Sequence, residues 1–222
     1  YDLAEKEYNE ALDIYRKLNG EYQDCLLGVA INLGNLANLH KYLLKYDLAE
    51  EGYKEALDIY RRLAAENPID FLPNVAVISG NLAVLHQSLC KYELAEEEFN
   101  EAIEICRKVA EKYPDAFLPK VALNLGNLAT LHDDLHKYDL AEEEYSETLN
   151  IYHKLAEKNL DAFLPNIAIN LGNLANLHKH SHKYDLAEEE YSKTLAIYRQ
   201  LAEQHPTIFL YDVALSLGNL AF

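Results

Sequence analysis

The segments INLGNLANLH from Ile31, SGNLAVLH from Ser79, LGNLATLH from Leu125, LGNLANLH from Leu171 and LGNLAF at the close of the chain share one core. They place Gly34, Gly80, Gly126, Gly172 and Gly218 at intervals of 46 residues. A fixed internal period constrains a fold more than length does, because each unit is one supersecondary element whose apolar face only its neighbours can cover. A glycine inside a helix costs about 1 kcal/mol relative to alanine. Its return in every unit therefore needs a packing or functional reason.

A second marker runs in step with the first: KYDLAEEGY from Lys45, KYELAEEEF from Lys91 and KYDLAEEEY from both Lys137 and Lys183, with YDLAEKEY opening the chain at Tyr1. From Tyr138 the apolar or small residues Tyr138, Ala141, Tyr145, Leu149, Tyr152 and Leu155 recur at helical spacing, which defines a second helix per unit. The preceding segment carries Val121, Leu125, Leu128, Ala129, His132 and Leu135 on one stripe, and Lys120, Asn124, Asn127, Thr130 and Asp134 on another. That is the first helix. Between units, ENPIDFLP, KYPDAFLP, KNLDAFLP and QHPTIFLY supply helix-start residues, and Pro73, Pro119 and Pro165 are expected in the first turn, where no backbone donor is lost.

The expected domain is a single array over 1–222, all-α, with about ten helices of about 17 to 20 residues. Its parts are a second helix at 1–18, units at about 24–65, 71–111, 117–157 and 163–203, and a partial first helix at 209–222. By this phasing the chain reads as a fragment of a longer array. Stacked helix pairs, each hiding its neighbour's stripe, make an α-solenoid.

Charge and chemistry exclude several function classes. Lys and Arg total 20 against 37 Asp and Glu, a formal charge of −17, so the field repels nucleic-acid backbones and anionic membranes. No uncharged apolar run of membrane-spanning length is expected, and no secretory signal opens the chain. Cys25, Cys90 and Cys106 occupy different places in the repeat, forming neither a disulfide framework nor a metal cluster, which suits reduced thiols in the cytoplasm. His178 and His182, four apart around His180, offer a metal-binding alternative on one helix face. No other unit repeats the trio, so no metal is expected. Without a phosphate-binding loop, nucleophile elbow or zinc signature, no cofactor is expected and the chain reads as a non-enzyme.

The bulky-then-small pair Leu36 and Ala37, followed by Tyr46, Ala49, Tyr53 and Ala56, resembles the tetratricopeptide repeat. So do Leu82, Ala83, Tyr92, Ala95, Phe99 and Ala102 in the next unit. The period departs from the usual 34 residues, and the LGNLA and KYxLAEEEY style is similar to kinesin-light-chain-like and bacterial long-repeat members. The family's turn glycine is replaced by Leu44, Cys90, His136 and His182. The resemblance implies a right-handed superhelix whose first helices line the concave face, and a protein–protein interaction scaffold that binds a protein or extended peptide there. It implies further that Asn35, Asn81, Asn127, Asn173 and Asn219, each beside a repeat glycine, hold the peptide, since an amide both donates and accepts.

Two readings stay open for these residues. The asparagines either grip a ligand backbone or tether one helix to the next, and Gly34, Gly80, Gly126 and Gly172 either allow close helix packing or clear space for a ligand. Specificity is expected from variable neighbours: Asn38, Val84, Thr130 and Asn176, then Lys41, Gln87, Asp133 and Lys179, then Tyr42, Ser88, Asp134 and His180. These lack the Lys and Arg pattern of chaperone-tail carboxylate clamps. His40, His86, His132 and His178 are expected to pack, and runs such as Glu142 to Glu144 to be solvated. Two alternatives accompany the scaffold reading: a spacer array that self-associates end to end, and the sensor arm of a larger signalling NTPase or enzyme.

Overall fold

The computed structural model describes residues 1–18 and 24–221. Phe222, which closes the expected partial helix 209–222, lies outside them. The described residues form ten helices and no strand: α1 (Asp2–Leu18), α2 (Asp24–Tyr42), α3 (Tyr46–Glu66), α4 (Pro68–Ser88), α5 (Tyr92–Ala110), α6 (Pro114–Asp134), α7 (Tyr138–Ala156), α8 (Leu160–His180), α9 (Tyr184–Gln204) and α10 (Pro206–Leu220). They fall into two compact units, Tyr1–Tyr113 and Pro114–Phe222, each built from helices packed on their successors. The fold is all-α and solenoidal in its helix pairing.

The two markers explain the packing. In the second helices the small and aromatic positions go fully inside: Ala49, Tyr53 and Ala56 on α3, Ala95, Phe99 and Ala102 on α5, Ala141 and Tyr145 on α7, Ala187 and Tyr191 on α9. An alanine beside a ring lets the facing helix approach while the ring fills the remaining volume. The first helices answer with Val75, Ala76, Leu82, Ala83 and Leu85 on α4, and with Val121, Ala122, Leu128, Ala129 and Leu131 on α6.

The expected place of three prolines needs correction. The helices α4, α6 and α8 start at Pro68, Pro114 and Leu160, one turn ahead of the residues expected, and each is 21 residues long. Pro73, Pro119 and Pro165 therefore sit inside their helices rather than in the first turn. The physical reason is that the earlier residues supply better starts: Pro68 takes the first helical position, where its missing donor is not needed, and the Asn159 side chain accepts from the Ala162 N–H at 3.3 Å. An interior proline then withholds one backbone bond from the carbonyl four residues back, that of Ile69, Asp115 or Asp161.

Each first helix followed by a described turn ends in the same way. Leu44, Cys90, His136 and His182 hold φ of +56° to +61°, although none is glycine. The Lys45 N–H donates to the His40 carbonyl at 2.8 Å and the Leu44 N–H to the Lys41 carbonyl at 3.1 Å, and the pattern repeats at Lys91, Lys137 and Lys183. These paired bonds are a Schellman termination. The turn keeps its left-handed geometry after losing the family's glycine, at a cost of about 1–2 kcal/mol per residue.

Helix α4 corrects the expectation about apolar runs. Residues 71–90 contain no Asp, Glu, Lys or Arg, and Pro68–Ser88 is long and apolar enough to cross a membrane by length and composition. Its apolarity has another cause: Val75, Ala76, Ile78, Leu82, Ala83 and Leu85 are buried among its helical neighbours.

Candidate functional site

On the first helices one stripe stays open to solvent. In α2 it runs through Ile31, Asn35, Asn38 and Tyr42, all exposed, while Val29, Ala30, Leu33, Leu36 and Ala37 face inward. The same register places Asn81 on α4, Asn127 on α6, Asn173 on α8 and Asn219 on α10, each half-buried. Among the described residues none of these five asparagines makes a side-chain hydrogen bond.

Other asparagines on these helices are engaged. Asn32, Asn124 and Asn170 donate to the carbonyls of Gly28, Lys120 and Asn166, each at 2.8 Å. Asn38 and Asn176 accept from the Tyr53 and Tyr191 hydroxyls at 2.6 and 2.5 Å. Asn74 bonds Tyr60, and Asn166 donates to the Tyr152 hydroxyl at 3.5 Å. Buried amides find partners because an unpaired one costs about 1–3 kcal/mol.

The residues expected to set specificity divide. Asn38, Thr130 and Asn176 each meet a buried tyrosine hydroxyl, with Thr130 Oγ1 2.8 Å from Tyr145 Oη. Burial pushes the pKa of all three hydroxyls up, so they remain neutral donors. In the second unit of the repeat the tyrosine is Phe99 and the facing position is Val84; where the hydroxyl is lost, so is its polar partner. Lys41 is half-buried, and burial lowers its pKa. Lys179 is half-buried with an electrostatic or hydrogen-bonding partner of its own.

Glycine geometry favours packing over clearance. A Cβ on Gly34 would stand 3.0 Å from Ile78 Cδ1, and one on Gly126 only 2.7 Å from Asn170 Oδ1. Gly172 faces Thr194 Cγ2 at 3.6 Å, and Gly80 is buried. The bare positions of Gly34 and Gly126 face the Ile78 side chain on α4 and the Asn170 side chain on α8.

The repeated histidines are buried, and they are also the centres of acid clusters. Nδ1 of His86, His132 and His178 lies 2.8, 2.9 and 2.7 Å from Glu98, Glu144 and Glu190 on the following helix. In the first unit Gly52 replaces that acid, and His40 Nε2 turns to Glu5 at 3.1 Å. Glu5 also takes Lys45, Glu50 takes Lys91, and Glu142 takes Lys183. Lysine is a poor residue to start a helix, and these lysines make no capping bond of their own. Their reach to the preceding second helix gives them a role. Burial raises Glu98 and Glu190, whereas the Lys183 hydrogen bond lowers Glu142 and the Lys45 bond lowers Glu5.

The His178, His180 and His182 trio does not converge. His178 is held by Glu190, His180 lies 3.1 Å from Asp133, and His182 sits past the helix end beside the Tyr184 hydroxyl. Among the described residues no group of three metal-ligating side chains comes together. The cysteines are free thiols, with Cys25 and Cys106 buried and Cys90 exposed.

Helix pairs with a periodic open stripe on one helix of each define the class: an α-solenoid repeat protein built as a protein-interaction scaffold. The chain belongs to the tetratricopeptide repeat family, whose sequence profile matches residues 28–108 and 74–154, more than half its length. No curated protein matches the sequence. Among solved structures it is similar to BtubC (BKLC) from P. vanneervenii, at 22% identity and a TM-score of 0.70 over 99% of this chain and 85% of that one. The putative kinesin light chain of Podosopora anserina, with nearly identical TPR-like repeats, matches at 14% identity and 0.62 over 90% and 98%. Aspartyl phosphate phosphatase F from Bacillus subtilis matches at 18% and 0.67 over 95% of this chain. This chain spans about half of that protein, 52%. At these identities the likeness is one of fold.

Proposed function

We infer that the open stripe of the first helices binds an extended polypeptide, with the ladder asparagines Asn35, Asn81, Asn127, Asn173 and Asn219 pairing with its backbone, and that the chain is a non-enzymatic scaffold. One observation carries this reading: these five amides lack side-chain partners among the described residues, while neighbouring asparagines on the same helices are hydrogen-bonded within the protein. An amide that grips backbone works for many ligand sequences, because every residue offers a carbonyl and all but proline an N–H. Peptides selected on the wild-type protein from a random display library test it. The variant Asn81→Ala, Asn127→Ala, Asn173→Ala is expected to lose them by fluorescence anisotropy while keeping its helical circular dichroism; unchanged affinity would remove the ladder from the site.

A second reading, self-association through the outer helices, is favoured by exposed apolar side chains there: Leu3 and Ile14 on α1, and Ile208, Leu210, Tyr211 and Leu217 on α10. Apolar patches of this kind mark contact surfaces. Sedimentation across a range of concentrations decides, since a monomer throughout rules this reading out for the chain.

A further inference from the structure

Within the first unit a solvent-open cleft lies between the N-terminal turns of α4 and the end of α5. Ile69, Leu72, Val109 and Tyr113 line it, Lys108 and Lys112 supply its charge, and no acidic side chain contributes to the lining. Its volume is about 220 Å³, more than the roughly 150 Å³ of an apolar cavity that binds benzene. Such a lining is unusual in a chain of formal charge −17. The clefts along α3, α7 and α9 are lined by acids such as Glu50, Glu142 and Glu188.

The repeat register shows what this cleft has lost. One period of 46 residues further on, Asp115 takes the place of Ile69 and Lys158 that of Lys112, and the two pair at 2.6 Å. In the α4–α5 pair the lysine is kept, but its acid is exchanged for an isoleucine that is 64% exposed. Among the described residues neither Lys108 nor Lys112 has a carboxylate partner, and the Lys112 ammonium lies 5.1 Å from the centre of the Tyr113 ring. The dipole of α5 accounts for Lys108, because cations are favoured in a last turn. It does not account for an apolar side chain in the place of the acid. Exposed Ile69 and Tyr113 beside two such ammonium groups complement a ligand with a carboxylate on an apolar ring. Covering the ring removes apolar surface from water, and the carboxylate supplies the charge-assisted bond that Asp115 makes in the other pair.

We propose that this cleft is a second binding site, for a small aromatic monocarboxylate, whose ring lies against Ile69, Leu72, Val109 and Tyr113 and whose carboxylate pairs with Lys108 and Lys112. The site is separate from the asparagine ladder. Asn81, the ladder member on α4, is nine residues beyond Leu72, about 14 Å along the helix.

Titration of the full chain with 2-naphthoate, followed through its backbone amide chemical shifts, tests the proposal. The ligand is expected to shift the amides of residues 69–72 and 108–113. It should bind about tenfold more tightly than 2-naphthamide, which keeps the rings but not the charge. Lys112→Gln should weaken it about tenfold, and Ile69→Asp, which installs the acid of the α6–α7 pair, should weaken it at least as much. Lys112→Arg should retain binding, and Lys158→Gln should leave it unchanged. Ile69, Lys112 and Lys158 are exposed, so the circular dichroism of each variant should match the wild type. No binding of 2-naphthoate at millimolar concentration, equal affinity for acid and amide, or indifference to Ile69→Asp overturns the proposal. Self-association in sedimentation that Ile69→Asp abolishes would assign the cleft to a second copy of the chain and overturn it as well.

Discussion

The pair α4–α5 and the pair α6–α7 place opposite chemistry at one equivalent contact. In α5 the buried ring is Phe99, and Val84 holds the facing position on α4; in α7 it is Tyr145, whose hydroxyl meets Thr130 on α6 at 2.8 Å. Asn38 with Tyr53 and Asn176 with Tyr191 follow the second solution. Both solutions satisfy the same requirement, that a group taken out of water has either a partner or no polarity. Variation at Asn38, Val84, Thr130 and Asn176 therefore records core chemistry, even though these positions border the open stripe.

Breaking one partner is expected to have the largest effect. Thr130→Val strands the Tyr145 hydroxyl and should lower the unfolding free energy by about 1–3 kcal/mol in urea titrations. Adding Tyr145→Phe should restore most of it, reproducing the α4–α5 solution. The converse, Phe99→Tyr, should be destabilising alone and rescued by Val84→Asn. A double variant as damaged as its parent would break the comparison.

Equivalent glycines extend it. Gly126→Ala drives its Cβ to 2.7 Å from Asn170 Oδ1, whose amide is held by the Asn166 carbonyl, and should cost about 1–3 kcal/mol. Gly172→Ala makes an ordinary 3.6 Å contact and should gain up to about 1 kcal/mol from helix propensity. Thermal melts that move in opposite directions would support the assignment; a shared direction would contradict it.

At the turns, Cys90→Gly should stabilise the fold by about 1 kcal/mol through relief of its left-handed backbone. His136→Gly should gain less, because its Nδ1 lies 2.9 Å from the Tyr138 hydroxyl and that contact is lost. Equal gains would show that the ring contact contributes nothing.

A pH-dependent effect lies around His86, between Glu50 and Glu98. Burial alone would raise Glu50, yet hydrogen bonds from Lys54 and Lys91, with the His86 ring 3.3 Å away, overcome it and hold the carboxyl at about 2. Its stabilisation is present above the ordinary glutamate value of 4.5 and is lost as pH falls toward about 2. Burial raises Glu98, so its contribution has the opposite sign: full below the ordinary value and lost as pH rises through the raised one. Denaturant titrations across the acid range should show a shallower acid loss in Glu50→Gln, and no such flattening in Glu98→Gln.

Much of this architecture was legible from the 46-residue register. The helix pairs, the inward tyrosines and alanines, and the odd turn residues Leu44, Cys90, His136 and His182 all follow from aligning the units. The matched change from Thr130 and Tyr145 to Val84 and Phe99 was also visible in that alignment, as a polarity change in two columns 15 residues apart. The exchange of Asp115 for Ile69, opposite Lys158 and Lys112, left a comparable signal, an acid lost in one unit while its lysine is kept. Its meaning was hidden because hydrophobicity alone does not distinguish a core position from an open one. Spacing places Asn124 with the solvent-facing residues, but it is buried and its amide closes on the Lys120 carbonyl within its own helix.

Periodicity fixed the helix content, the pairing of first and second helices and the family, because a repeating apolar stripe can be buried only by stacking. Tertiary contacts decided which asparagines are committed and which remain open. Asn124 and Asn127 are alike in sequence chemistry and three residues apart, but about 300° of helical rotation buries one and leaves the other half-exposed. The glycine beside Asn127 belongs to the packing, its absent Cβ leaving room for Asn170 Oδ1 on α8.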